Sequence, residues 1–127
     1  MKVVNLEQFR ISLEENCVIN SCLSGCNVSD ISFSKIELNE VKFENVELTN
    51  VKMTHSNFTN ITFINCTFRH VNFSNSSFNN ISMVGCDLDE VDFTQSEFDG
   101  IQFISSNFKR ALFNKSNFIF TKYEDCQ

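Results

Sequence analysis

A chain of 127 residues with 42% hydrophobic content is about one domain's worth, with enough apolar material for a core. Fifteen Phe, one Tyr, no Trp, no Pro and only three Gly argue against a loop-rich globule. The formal net charge of −6 argues against unspecific binding of nucleic acid, which needs a basic surface, so no direct nucleic-acid partner is expected.

The first ten residues stand apart from the rest. They hold no apolar stretch of leader type, so the expected location is the cytoplasm. No uninterrupted apolar run anywhere approaches membrane-spanning length, and no membrane partner is expected. Leu6, Phe9 and Leu13 fall at near-helical spacing and predict a short turn or helix. Residues 1–10 are therefore read as a cap segment, with Gln8 breaking the frame that follows.

From Ile11 onward the period is five. Every fifth residue from Leu13 to Tyr123 is apolar or aromatic; the central run is Phe58, Phe63, Phe68, Phe73, Phe78, Met83, Leu88, Phe93 and Phe98. Two positions earlier stands a small or β-branched residue, such as Ile61, Cys66, Val71, Ser76, Ile81 and Cys86, with Asn16 the exception. The three remaining registers are mostly polar. Two inward positions in five fit neither an α-helix, with a period of about 3.6, nor a strand, with a period of about 2. Each unit must be a short extended side followed by a corner. Asn45, Asn50, Asn60, Asn65, Gly85 and Gly100 supply corner residues that tolerate left-handed backbone. Four corners close a coil in which each residue lies under the one twenty positions later, about 4.8 Å away. The alternation of Val or Ile with Ser or Cys around a coil predicts a slightly rectangular core.

Units such as Cys66-Thr67-Phe68-Arg69-His70 and Ser76-Ser77-Phe78-Asn79-Asn80 closely resemble those of the pentapeptide-repeat proteins. The resemblance covers roughly nine tenths of the chain, from Ile11. It implies an all-β fold, a right-handed quadrilateral parallel β-helix over residues 11–127 with nearly six coils. This sequence favours Phe at the centre of the unit, where the family usually has Leu, and Val, Ile, Ser or Cys before it.

Six Cys raise the question of metal or disulfides. Cys26, Cys66, Cys86 and Cys126 share one column, where parallel Cβ vectors suit a disulfide poorly, and no short Cys pair suggests zinc. They read as reduced thiols filling small core positions, while Cys17 and Cys22 fall on outward registers. His55 and His70, the two histidines, fall on separated corners, and a rod packed with Phe offers no water-excluding pocket. No enzyme, no catalytic residue, no metal and no cofactor is expected.

Two surface features remain. Asp87, Asp89, Glu90, Asp92, Glu97 and Asp99 form an acidic belt without a base, over three sides of one coil. Arg69/His70, Asp89/Glu90 and Lys109/Arg110 should lie one above another, as a charge ladder that fixes register. Ile64, Val84 and Ile104 make an outward apolar column, and Leu112, Ile119 and Phe120 an apolar group near the last coil. The expected function is a non-catalytic protein-interaction scaffold, its protein partner unidentified, joined end to end as a homodimer through the C-terminal coil. The resemblance implies an alternative: some pentapeptide-repeat proteins mimic DNA and bind DNA gyrase or another type II topoisomerase, protecting it from quinolones.

Overall fold

The computed structural model describes all residues, Met1–Gln127. After a two-residue strand, β1 (Lys2–Val3), and a helix, α1 (Leu6–Glu14), the chain runs through parallel strands to its end. They are β2 (Cys17–Ser24), β3 (Asn27–Ser34), β4 (Glu37–Glu44), β5 (Glu47–Thr54) and β6 (Asn57–Ile64). Then come β7 (Thr67–Asn72), β8 (Ser77–Val84), β9 (Asp87–Asp92), β10 (Glu97–Ile104) and β11 (Asn117–Glu124). A seven-stranded sheet has the order β1-β2-β4-β6-β8-β10-β11, and a four-stranded sheet the order β3-β5-β7-β9. From β2 onward strand partners differ by twenty: Phe58 faces Phe78, Phe78 faces Phe98 and Phe98 faces Phe118. The fold is a four-sided right-handed parallel β-helix of about six turns. No helix is long and apolar enough to cross a membrane.

Each strand of the larger sheet except β1 bends over one corner and supplies two sides. In β6 these are the side of Phe58, which continues as Phe78 above it, and the side of Phe63. The smaller sheet supplies the sides of Phe68 and Phe73. Every fifth residue from Asn20 to Asp125 has positive φ except Arg110, which explains why Asn and Gly recur at these corners. Gly85, at φ +63°, packs so that a Cβ there would lie 2.5 Å from Asn65 Oδ1.

The interior is a set of aromatic columns. Phe58, Phe78, Phe98 and Phe118 stack with ring centroids 4.7, 4.8 and 4.6 Å apart and nearly parallel planes. Neighbouring columns meet edge to face, as in Phe58–Phe73 at 75°. Both are favoured arrangements for rings carrying a quadrupole.

The alternation of large and small residues has a hydrogen-bonding cause. Val and Ile follow the corners inside strands, whereas Ser and Cys follow the turns between strands, where carbonyls would be buried without partners. Ser96 Oγ donates to Phe73 O at 3.3 Å, Ser106 Oγ to Met83 O at 3.2 Å and Ser116 Oγ to Phe93 O at 2.7 Å. The same hydroxyls accept: Ser56 N–H reaches Ser76 Oγ at 3.1 Å, and Ser76 N–H reaches Ser96 Oγ at 3.2 Å. Cys66 and Cys86 make the corresponding thiol contacts to Phe43 O and Phe63 O, each at 3.4 Å. A hydrogen bond with the Cys66 thiol, together with burial, pushes the Cys86 thiol far above its usual pKa.

Leu6–Glu14 becomes a helix because Asn5 and Gln8 form a capping box. Gln8 N–H donates to Asn5 Oδ1 at 2.8 Å, and Asn5 N–H donates to Gln8 Oε1 at 2.9 Å. The helix buries Phe9 and Leu13, and Phe9 meets Phe43 edge-on at 5.7 Å. Ile11 belongs to this helix and is exposed, not inward as the five-residue frame predicts. Asn16, just past the helix, has left-handed backbone, and the corner register begins at Asn20.

Candidate functional site: the outer sides and the last coil

The six carboxylates of the acidic belt fall on three sides of the rod, with Asp92 on the Phe93 side between two opposite ones. Asp87, Asp89 and Glu90 flank Leu88 on the Phe68 side, and each has a cationic neighbour. Arg69 Nη1 lies 3.4 Å from Asp87 and 3.7 Å from Asp89. Arg110 grips Asp89 with Nε and Nη2 at 2.5 and 2.6 Å, and His70 Nδ1 lies 2.6 Å from Glu90. The Arg110 guanidinium holds the Asp89 carboxyl below the usual carboxylate range. The plus–minus–plus ladder is present, but one of its members is exchanged. Lys109 makes no ion pair, its N–H donating to Asn107 Oδ1 at 3.1 Å, and Arg110 takes the place over Asp89. The cause is local backbone: Arg110 is the corner without positive φ, and a tight turn closes from Ala111 N–H to Phe108 O at 3.2 Å.

The other three acids differ. Asp92 accepts from Thr94 N–H at 2.8 Å, and Glu97 and Asp99 take part in no ion pair. Glu97 and Asp99 flank Phe98 on the side opposite the arginines. The belt is thus compensated on one side and open on the other.

Ile64, Val84 and Ile104 do stack in register across β6, β8 and β10. All three are half-buried, with Glu44 and Glu124 continuing the column above and below. The last coil is much more open: Leu112 is 50% exposed, Ile119 55% and Phe120 82%. Leu112 lies on the Phe113 side, one corner away from Ile119. Two residues of the interior frame join them: Phe118 and Tyr123 point inward yet are 37% and 54% exposed.

His55 and His70 lie on separate exposed corners. No three His, Cys, Asp or Glu side chains are grouped to hold a metal ion. Cys17 is exposed and Cys22 half-buried.

Comparison with known proteins agrees with this geometry. A family model described as a pentapeptide repeat region matches residues 56–127, and one described as pentapeptide repeats in eight copies matches residues 21–60. No curated protein matches the chain. Among solved structures, it is similar to HetL, a pentapeptide repeat protein involved in heterocyst differentiation regulation in the cyanobacterium Nostoc sp. strain PCC 7120. The TM-score is 0.61 at 12% identity, and 87% of this chain is covered against 56% of HetL. The chain therefore spans little more than half of that structure's length. Weaker superpositions are found with Rfr23 from the cyanobacterium Cyanothece 51142 (TM-score 0.40, 11% identity, 93% and 99% covered). QnrB1, a plasmid-mediated fluoroquinolone resistance protein, gives a TM-score of 0.27 at 13% identity, with 87% and 75% covered.

Proposed function

Because the chain belongs to the pentapeptide-repeat family, we propose that it is a non-catalytic protein-interaction scaffold of the cytoplasm, joined end to end as a homodimer through its last coil. The observation that carries this reading is the exposure of aromatic rings on an otherwise sealed rod. Phe118 and Tyr123 are open at the end of their columns, with Ile119 and Phe120 beside them. A second layer of protein would cover the rings. A two-fold axis across the rod reverses the sense of the coil, so β11 of one copy would run antiparallel to β11 of the other and can pair with it. The half-buried column of Ile64, Val84 and Ile104 is a second, lateral contact candidate.

Mimicry of a DNA backbone towards a type II topoisomerase has less support. Phosphates run along a duplex, whereas these carboxylates run around one coil, and three of the six are held by Arg69, His70 and Arg110.

Sedimentation of the wild type against Phe120→Asp tests the end-to-end contact. A dimer is expected for the first and a monomer for the second; two identical monomers refute the interface.

A further inference from the structure

Two thiols stand one above the other inside the middle of the rod. Cys66 and Cys86 are buried, at 1% and 3% exposure, in the column that runs Cys26, Val46, Cys66, Cys86, Ser106 and Cys126. The strands on either side of them are in register, Ile64 with Val84 and Thr67 with Asp87. Their Cα atoms are therefore about 4.8 Å apart, with parallel Cβ vectors. Cys26 and Cys126 each lie two coils from the nearer of the pair, too far to share a ligand with it.

Neither size nor hydrogen bonding explains sulfur at these positions. Ser106, next in the column, donates to Met83 O at 3.2 Å much as Cys86 donates to Phe63 O at 3.4 Å. The opposite column does the same with serine alone, at Ser56, Ser76 and Ser96. The two sulfurs also meet each other. The Cys86 thiol hydrogen-bonds to Cys66, which lowers the Cys66 pKa and, together with burial, raises that of Cys86. Hydrogen bonds from the backbone of Val46 and of Cys66 favour thiolate at Cys66 and at Cys86 in turn.

Parallel thiols one coil apart suit a disulfide poorly, yet they suit an ion held in a line between two sulfurs. Two metal–thiolate bonds of about 2.3 Å, end to end, span about 4.6 Å. The coil spacing of about 4.8 Å nearly matches that span. Zinc needs four ligands in a structural site, and no three candidates are grouped. Copper(I) is soft, prefers thiolate and is satisfied by two. We propose that Cys66 and Cys86 form a linear, two-coordinate site for copper(I) that ties together two central coils. As the ion binds, both S–H bonds break, two Cu–S bonds form and both protons pass to water, so acid opposes binding.

The site is independent of the end contact, and Phe120→Asp should bind copper(I) as the wild type does. Because both thiols are buried, the chain is refolded from urea with copper(I) under anaerobic, reducing conditions and then challenged with bathocuproine disulfonate. The test chain carries Cys17→Ser, Cys22→Ser, Cys26→Ser and Cys126→Ser, which leaves only the pair. It should retain one copper per chain, show two sulfur neighbours by X-ray absorption and melt higher than its metal-free form. Cys66→Ser or Cys86→Ser in that chain should abolish retention. Serine already fills this register at Ser106, so the metal-free variants should melt close to their parent. Zinc(II) offered in the same way should be lost to a chelator. The proposal is overturned if the test chain retains no copper, if Cys66→Ser retains as much, or if the absorption spectrum shows a third ligand.

Discussion

The two ends of the rod solve the same problem differently. At the N-terminal end α1, held by the Asn5–Gln8 box, lays Phe9 and Leu13 over the first coil, and Val18, Leu23 and Val28 beneath are buried. At the other end Phe108 and Phe113 are half-buried and Phe118 and Tyr123 are open. The four-stranded sheet also stops early: only isolated bridges, Asp87–Asn107 and Asp92–Leu112, link β9 to the coil above it. In a solenoid each coil is stabilised by its neighbours, so an uncovered coil has only one. The repeat specifies the interior uniformly, and the stability of a given position depends on where along the rod it falls.

The sharpest break of this comparison uses one column. Phe78 lies between Phe58 and Phe98, and Phe118 has only Phe98. Phe78→Ala should cost about 3–5 kcal/mol in urea unfolding, the usual loss for a buried ring. Phe118→Ala should cost well under half of that in a monomer. Equal costs would mean that the last coil is packed as tightly as the middle.

A second contrast concerns the polar column. Ser76 Oγ donates to Ser74 O at 3.2 Å and accepts from Ser56 N–H at 3.1 Å, both groups buried. Ser76→Ala leaves Ser56 N–H unpaired, while Ser74 O keeps the His55 N–H at 3.2 Å, and should cost about 1–3 kcal/mol, with Ser76→Cys intermediate. Ser116→Ala, nearer the open end where water can substitute, should cost less. Urea melts of the three variants decide it; a harmless Ser76→Ala would reduce the small residues to space fillers.

These contrasts show what the sequence could reveal. The inward registers, the corners and the stacking by twenties all follow from one period, and each was readable from residues such as Phe78 and Asn80. The hydrogen-bonding role of Ser and Cys is not legible there, because carbonyls at turns between strands have no letter of their own in the sequence. The acidic belt looked uniform because six acids without a base are contiguous from Asp87 to Asp99. Their arginines come from neighbouring coils, and the partner of Asp89 shifted from Lys109 to Arg110 once that corner left the left-handed backbone. Ile11 misled for a related reason: it is spaced for the repeat, but the Asn5–Gln8 box commits it to a helix.

The smallest expected effect lies on the surface, where the compensated side can be separated from the open one by pH. Arg110 lowers the pKa of Asp89 in the folded chain. Above the ordinary unfolded value of about 3.9, Asp89 is ionised in both states and the ion pair's contribution is complete. As pH falls below that value, the unfolded chain takes up the proton first, and the contribution disappears as pH passes through the lower folded value. Arg110→Gln should therefore be slightly less stable than the wild type near neutrality, with the gap closing as pH falls below about 4. Salt near 1 M should also narrow the gap, since the Arg110 side chain is 63% exposed. Asp99→Asn, on the side without arginines, should show no such gap to close. If the Arg110→Gln difference instead stays constant from pH 7 to pH 2, Arg110 contributes through packing, and the pairing of Asp89 is incidental to the stability of the coil.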